Sequence, residues 1–390
     1  MVRKIIRKAL ISPLVNIIND GRSVGIILFC CTIFSLFFAN SSLWPGYGSN
    51  IVREIHYPSW LHLPHTPLHW INDGLMALFF FLVGMEIKRE LLTGELRSIR
   101  KAMLPIGGAI GGMLLPAGIF LLINVGRVGE HGWGIPMATD IAFSLGIASL
   151  LGKRVPMSLK IFLTALAIID DLGAIIVIAI FYGGQFSLVY FFLAVAVLAL
   201  TFLLNRIKPV FGIVHIVLGI LLWYFVFNSG IHATIAGVLF ALMVPLNRLE
   251  KIEHALHTPV NFIILPIFAL ANTVIHFPSD LGAAIQTPLS WGIVLGLLLG
   301  KPLGICLACF ILVKMKWGEL PRSSTWMQML GIGLLAGIGF TMSIFIAMLA
   351  FGNPQMQDTS KIGVLLGSLA SVILGYLCLL LFSKKLTPAV

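Results

Sequence analysis

The chain has 390 residues, of which 58% are hydrophobic and only 11% charged, and a mean hydropathy of +1.01. So little polar surface excludes a soluble globule and makes the chain an all-α polytopic membrane protein. A formal net charge of +11 would suit a nucleic-acid binder. The basic residues, however, sit in short stretches between apolar runs, so they mark topology and no nucleic-acid partner is expected.

About twelve apolar runs of spanning length follow one another, at roughly 24–40, 70–92, 102–125, 132–150, 157–182, 186–204, 208–226, 230–247, 257–278, 290–313, 328–351 and 362–383. The first twenty residues read as a short amphipathic cytoplasmic segment. The first run is followed by Asn40-Ser41-Ser42-Leu43-Trp44 rather than a small-residue cleavage site, so it is a span and not a signal peptide. Of the 26 Lys and Arg residues, only Arg53, Arg127 and Lys361 fall outside, and Lys301 lies within a span. The positive-inside rule then puts both termini in the cytoplasm. Every loop but one is too short for a separate domain, so residues 1–390 form a single membrane unit.

The exception is 40–69, on the outside, which has room for a short hairpin around Gly46-Tyr47-Gly48 but alternates poorly, so the sequence leaves the hairpin open. His56, His62, His65 and His69 lie in it without the fixed spacing of a metal site. In the fourth run, Pro136 removes a backbone donor and Gly132 and Gly134 weaken the helix just before Ala138-Thr139-Asp140, so this span is predicted to be discontinuous.

The fifth run carries Asp170 and Asp171 side by side in its middle. A charge at bilayer depth costs about 2.5–3.5 kcal/mol on insertion scales, and such residues mark ion pathways or proton relays. The tenth run holds Lys301, its only intramembrane cation, in Gly300-Lys301-Pro302-Leu303-Gly304, and also a Cys306-Leu307-Ala308-Cys309 pair. One lipid-embedded CxxC without further ligands is a pair of packing thiols, as are the other three of the five cysteines. In the eleventh run Gly331, Gly333, Gly337 and Gly339 precede Phe340-Thr341-Met342-Ser343, a pattern that fits either close helix packing or a second break. Spans three to five and ten to twelve thus carry matching disturbances and enter from opposite faces, the pattern of an inverted-topology repeat with broken helices at the binding site.

A buried ammonium needs a partner, and Asp140, Asp170 and Asp171 are the candidates for Lys301. Adjacent helical residues diverge by about 100°, so one of Asp170 and Asp171 can face Lys301 while the other stays free to trade protons for a small hard cation. A purely structural ion pair is the plain alternative. An intramembrane aspartyl protease is disfavoured because its two carboxyls must converge on one water, usually from different helices. A transporter of an anionic organic solute would need more cationic groups than Lys301.

Ala138-Thr139-Asp140-Ile141-Ala142-Phe143, Leu166-Ala167-Ile168-Ile169-Asp170-Asp171-Leu172-Gly173-Ala174, Gly300-Lys301-Pro302-Leu303-Gly304 and Gly337-Ile338-Gly339-Phe340-Thr341-Met342-Ser343-Ile344-Phe345 together resemble the NhaA-type sodium/proton antiporters of bacteria. Trp70-Ile71-Asn72-Asp73-Gly74-Leu75-Met76, Val83-Gly84-Met85-Glu86-Ile87-Lys88-Arg89-Glu90-Leu91 and Ser229-Gly230-Ile231-His232-Ala233-Thr234 extend the resemblance over nearly the whole chain. It implies a secondary antiporter of the bacterial inner membrane, not an enzyme and without cofactor. It would exchange cytoplasmic Na+ or Li+ for external H+, electrogenically, under pH control and by alternating access. The core bundle would be about 102–182 and 290–383, with the remaining spans as panel and linker.

The same resemblance assigns cation and proton binding to Asp171 and Asp170, and the crossing of two broken helices to Thr139 and Asp140, with Lys301 as counter-charge. Glu86, Glu90, Glu253, His254 and His257 would sense pH at the cytoplasmic mouth, with His232 at the outer end of span eight, and Asp73 would line the passage. Read from chemistry alone, the mouth residues also fit an ordinary solvated rim. The family's outer hairpin joins two protomers, which implies a homodimer in the lipid bilayer.

Overall fold

A computed structural model gives the fold of residues 22–207, 211–277, 282 and 285–383, which are helices and loops without a strand. The amphipathic segment expected over the first twenty residues lies outside them. Among the described residues, eight helices are long and apolar enough to cross a membrane. They are α2 (Pro67–Leu92), α3 (Ile99–Asn124), the pair α4 (Glu130–Met137) and α5 (Ile141–Leu150) taken together, α6 (Met157–Phe181), α7 (Leu188–Ile207), α10 (Leu246–Asn272), α11 (Pro288–Lys314) and α14 (Pro354–Phe382). The pair α12 (Trp326–Ala336) and α13 (Phe340–Ala350) is bent by 46° and makes a ninth. Shorter apolar helices are α1 (Arg22–Ala39), α8 (Ile213–Asn228) and α9 (Thr234–Met243).

Helices are what such runs must form, because hydrocarbon offers no partner to a free N–H or C=O. Their starts are marked locally. Thr287 and Asn353 cap helices that open on Pro288 and Pro354, and Thr325 with Gln328 forms a capping box on α12.

The question of a hairpin around Gly46-Tyr47-Gly48 is answered against it: Tyr47–Ile51 is a helical turn and Ser59–Leu61 a 3-10 turn. Tyr47 explains why. Its ring packs among Phe34, Phe38 and Trp44, and its hydroxyl donates to the Leu270 carbonyl at 3.0 Å. The segment therefore folds onto α1 and α10 rather than back on itself. A single bond, Ile55 N–H to the His65 carbonyl at 2.7 Å, draws its two arms together.

Two tight crossings organise the bundle. In the first, α3 meets α11 through glycines: a Cβ on Gly111 would lie 2.3 Å from the Gly304 carbonyl oxygen. A π turn over Gly296–Gly300 immediately precedes Lys301 in α11. In the second, α2 meets α9, where a Cβ on Gly237 would lie 2.1 Å from the Ala77 carbonyl oxygen. One apolar cluster joins α1, α3–α6 and α11–α14 with parts of α2, α9 and α10, and another lies among α2 and α7–α10. An open groove of about 1220 Å³ runs along α2, α8, α9 and α10, lined by Trp70, Phe81, Trp223 and Phe240, and touches none of the membrane aspartates.

Candidate ion site

The backbone breaks come first, because they create the site. Between α4 and α5 the helix stops at Ala138-Thr139-Asp140, where Ala138 and Asp140 are extended and Pro136 has no N–H to give. Asp140 then caps α5, its carboxylate accepting from Phe143 N–H at 3.0 Å. Between α12 and α13 the break falls at Gly337-Ile338-Gly339. This settles the sequence ambiguity in favour of a break, although those glycines also allow close packing: a Cβ on Gly337 would lie 2.4 Å from the Leu297 carbonyl oxygen.

The two breaks are bonded to each other. Asp140 N–H donates to the Ile338 carbonyl at 2.7 Å, and Thr341 N–H donates to Asp140 Oδ2 at 3.1 Å, with the Thr341 hydroxyl on the same oxygen. Ser343 Oγ donates to the Ile135 carbonyl at 2.7 Å. One carboxylate thus serves the N-terminal ends of two half-helices, α5 and α13, whose exposed N–H groups carry partial positive charge.

Opposite it stands a cation. Lys301 Nζ lies 2.6 Å from Asp170 Oδ2, with both side chains fully buried, and it also donates to the Met137 carbonyl at the C-terminal end of α4. Thr139 Oγ1 sits 2.7 Å from the same Asp170 oxygen and 2.9 Å from the Ala336 carbonyl. One hydroxyl hydrogen can serve only one of them at a time. Asp171 is 2% exposed, and its Oδ1 has no hydrogen-bond partner, nor does Oδ1 of Asp170. The divergence of neighbours on one helix is thus resolved: Asp170 takes Lys301 and Asp171 is left over. Clustered carboxylate and hydroxyl oxygens in a water-poor setting suit a hard monovalent cation or a proton.

The remaining sequence candidates are placed unevenly. Arg89 joins Glu90 at 3.3 Å and Glu253 at 3.4 Å, and Glu86 lies within electrostatic reach of both Glu253 and Asp171. His254 is exposed, and the His257 ring meets the Asn261 amide. His232 is not part of that group; its Nε2 bonds the Tyr182 carbonyl at the end of α6. Asp73 sits in a π turn over Trp70–Leu75, where its carbonyl accepts from Trp223 Nε1 at 2.8 Å.

Lys361, assigned to the outer side by the charge pattern, has a buried side chain, 5% exposed and 3.6 Å from Asp358. Lys301 is therefore not alone as a buried lysine. The helix of Lys361 begins at Pro354, well before the apolar run, which carries the lysine into the bundle. Sequence reasoning missed the roles of Thr341, Ser343 and the Met137 carbonyl. Thr341 and Ser343 had a signal, since hydroxyls directly after a glycine break are placed to bond the opposing one.

The sequence profile of the Na+/H+ antiporter 1 family matches residues 15–379. The chain is 48% identical over 367 residues to the Na(+)/H(+) antiporter NhaA 1 of Flavobacterium johnsoniae, covering 93% of this chain and 94% of that protein. It is 49% identical over 383 residues to the Na(+)/H(+) antiporter NhaA of Dechloromonas aromatica, covering 95% and 96%. Similarity to the Na(+)/H(+) antiporter NhaA of Cytophaga hutchinsonii reaches 46% over 376 residues, 95% of each chain.

Proposed function

The chain belongs to the Na+/H+ antiporter 1 family, and from that premise we propose that it exchanges cytoplasmic Na+ or Li+ for external H+ by alternating access around Asp170 and Asp171. It is a multi-pass membrane transporter and not an enzyme. The observation that carries the reading is the inequality of the two aspartates: Asp170 is held by Lys301 and Thr139, while the buried Oδ1 of Asp171 has no partner. A carboxylate kept from water without a counter-charge holds a proton until a cation displaces it. As the cation binds Asp171, its charge competes with Lys301 for Asp170, so two carboxylates and one ammonium can together release more than one proton per ion bound. Transport is then electrogenic.

The other parts of the reading rest on family membership and on the charge and motif pattern of the sequence. Spans three to five and ten to twelve are an inverted repeat, twelve spans put both termini in the cytoplasm of a bacterial inner membrane, and the remaining spans form the panel. Glu86, Glu90, Glu253, His254 and His257 form a pH-responsive cytoplasmic mouth around Arg89, with His232 acting from the opposite end and Asp73 lining the passage.

Purified protein in liposomes that trap a pH-sensitive dye tests this directly. Sodium and lithium pulses are expected to drive proton flux, potassium and a neutral osmolyte are not, and an imposed membrane potential changes the rate. A response to potassium as strong as that to sodium would overturn the assigned substrate.

A further inference from the structure

Tyr182 stands at the end of α6, the helix of Asp170 and Asp171, and its hydroxyl reaches into another helix. It accepts from Gly134 N–H at 3.1 Å and donates to the His131 carbonyl at 2.9 Å. Those two groups are the pair that an i→i+3 turn joins to each other, and both belong to the 3-10 half-helix α4. One side chain thus engages both members of a helical hydrogen-bond pair, and groups inserted in this way set the local bend and pitch of a helix. The approach depends on Gly134, where a Cβ would lie 2.7 Å from the hydroxyl oxygen.

Both ends of this contact are fixed. Trp133 stacks on the Tyr182 ring at 6.4 Å and meets Phe181 edge-on at 5.0 Å. The Tyr182 carbonyl accepts from His232, and just beyond it Gly184 N–H bonds the Gly230 carbonyl and Ser187 N–H the Ser229 carbonyl, at 2.8 and 2.9 Å. The half-helix itself is poorly made to hold its own shape, being eight residues of 3-10 geometry with Pro136 inside. Its other end nonetheless carries the ion site: the Ile135 carbonyl takes Ser343, the Met137 carbonyl takes Lys301, and Thr139 reaches Asp170.

The geometry points to Tyr182 as a positioning residue of the ion site, its hydroxyl clasping the 131–134 turn to the aspartate helix and so setting Met137 and Thr139 against Lys301 and Asp170. This rests on the ion-exchange reading above. Without the hydroxyl the turn loses this tie to the aspartate helix, and the Met137 carbonyl and Thr139 shift together.

The test is Tyr182→Phe, which keeps the ring and its stacking. In proteoliposomes the apparent KM for sodium is expected to rise about fivefold, the worth of one hydrogen bond, with the maximal rate within about twofold and the ratio of sodium to lithium KM altered. A change that merely lowered the amount of folded protein would move the maximal rate alone. In detergent, amide hydrogen exchange over 130–137 is expected to speed up, a readout that needs no transport. Tyr190→Phe, on another helix, is the control and leaves all of these unchanged. If the Phe variant does not fold, Tyr182→Trp, which can donate but not accept, is expected to raise KM in the same direction. A folded hydroxyl-less variant with unchanged KM, ion ratio and exchange overturns the clasp, as does a loss of maximal rate with KM unmoved. Absence of sodium-driven flux in the parent protein would instead overturn the ion-exchange reading, and faster exchange would still support the clasp.

Discussion

The crossing of α2 with α9 and the crossing of the two broken spans solve the same problem with different remainders. Both bring a lysine to the carbonyl end of a helix, at the exposed edge of the bundle in the first and fully buried in the second. At the first, Lys88 donates to the Leu242 and Val244 carbonyls at 2.7 and 2.5 Å, and Asn205 takes the Met243 carbonyl at 2.7 Å, so the end of α9 is closed. At the second, Lys301 and Asp140 satisfy the half-helix ends, yet the buried Oδ1 atoms of Asp170 and Asp171 stay unpartnered. A closed helix end gives stability alone. A surplus buried carboxylate costs stability and is what an exchanged ion can use.

The contrast breaks most sharply at Asp171. Asp171→Asn is expected to reduce sodium-driven proton flux to the background of empty liposomes while the melting temperature holds or rises, because it removes a ligand and a titratable group but no hydrogen bond at the unpartnered Oδ1. Near-normal flux in that variant would end the distinction drawn here.

Lys301→Ala comes next, leaving Asp170 and the Met137 carbonyl without their cation. Removing one member of a buried pair costs about 3–5 kcal/mol, so stability and activity are expected to fall together, read by thermal melting and by flux. Lys301→Arg keeps the charge and cannot shed it near neutrality. If that variant exchanges ions but responds less to membrane potential, the lysine carries one of the protons.

Thr341→Val takes one hydroxyl from Asp140 and leaves the backbone bonds from Thr341 and Phe143 in place. A cost of about 1–2 kcal/mol and a rise in the sodium KM are expected, since Asp140 then holds the crossing less firmly. The smallest effect on ions belongs to Lys88→Met. It is expected to lower stability by about 1–3 kcal/mol through the unsatisfied carbonyls of α9 while leaving the sodium KM unchanged. A shifted KM there would show that the α2–α9 crossing also shapes the site.

Much of this was legible in the chain itself, and for definite reasons. Length and apolarity of a run decide that it becomes a buried helix, since nothing else satisfies its backbone in lipid. A proline with two glycines upstream of Thr139 and Asp140 announces a break, and a pair of acids at mid-span motivates the ion-site reading proposed above. Chemistry also required that Lys301 have an acidic partner.

Which acid it took was a tertiary decision. The facing of Asp170 rather than Asp171 toward Lys301 depends on the rotation of α6 and on the π turn before Lys301, and a one-residue change in either would exchange their roles. Tertiary contact also turned Tyr47 inward against α10 where the loop could have held a hairpin, buried the Lys361 side chain beside Asp358, and carried the Tyr182 hydroxyl into the 131–134 turn of another helix. Local sequence encodes hydropathy, breaks and caps because these act within a few residues. The pairing of one buried oxygen with one nitrogen is set by how whole helices rotate and slide against each other, which only the packed bundle decides.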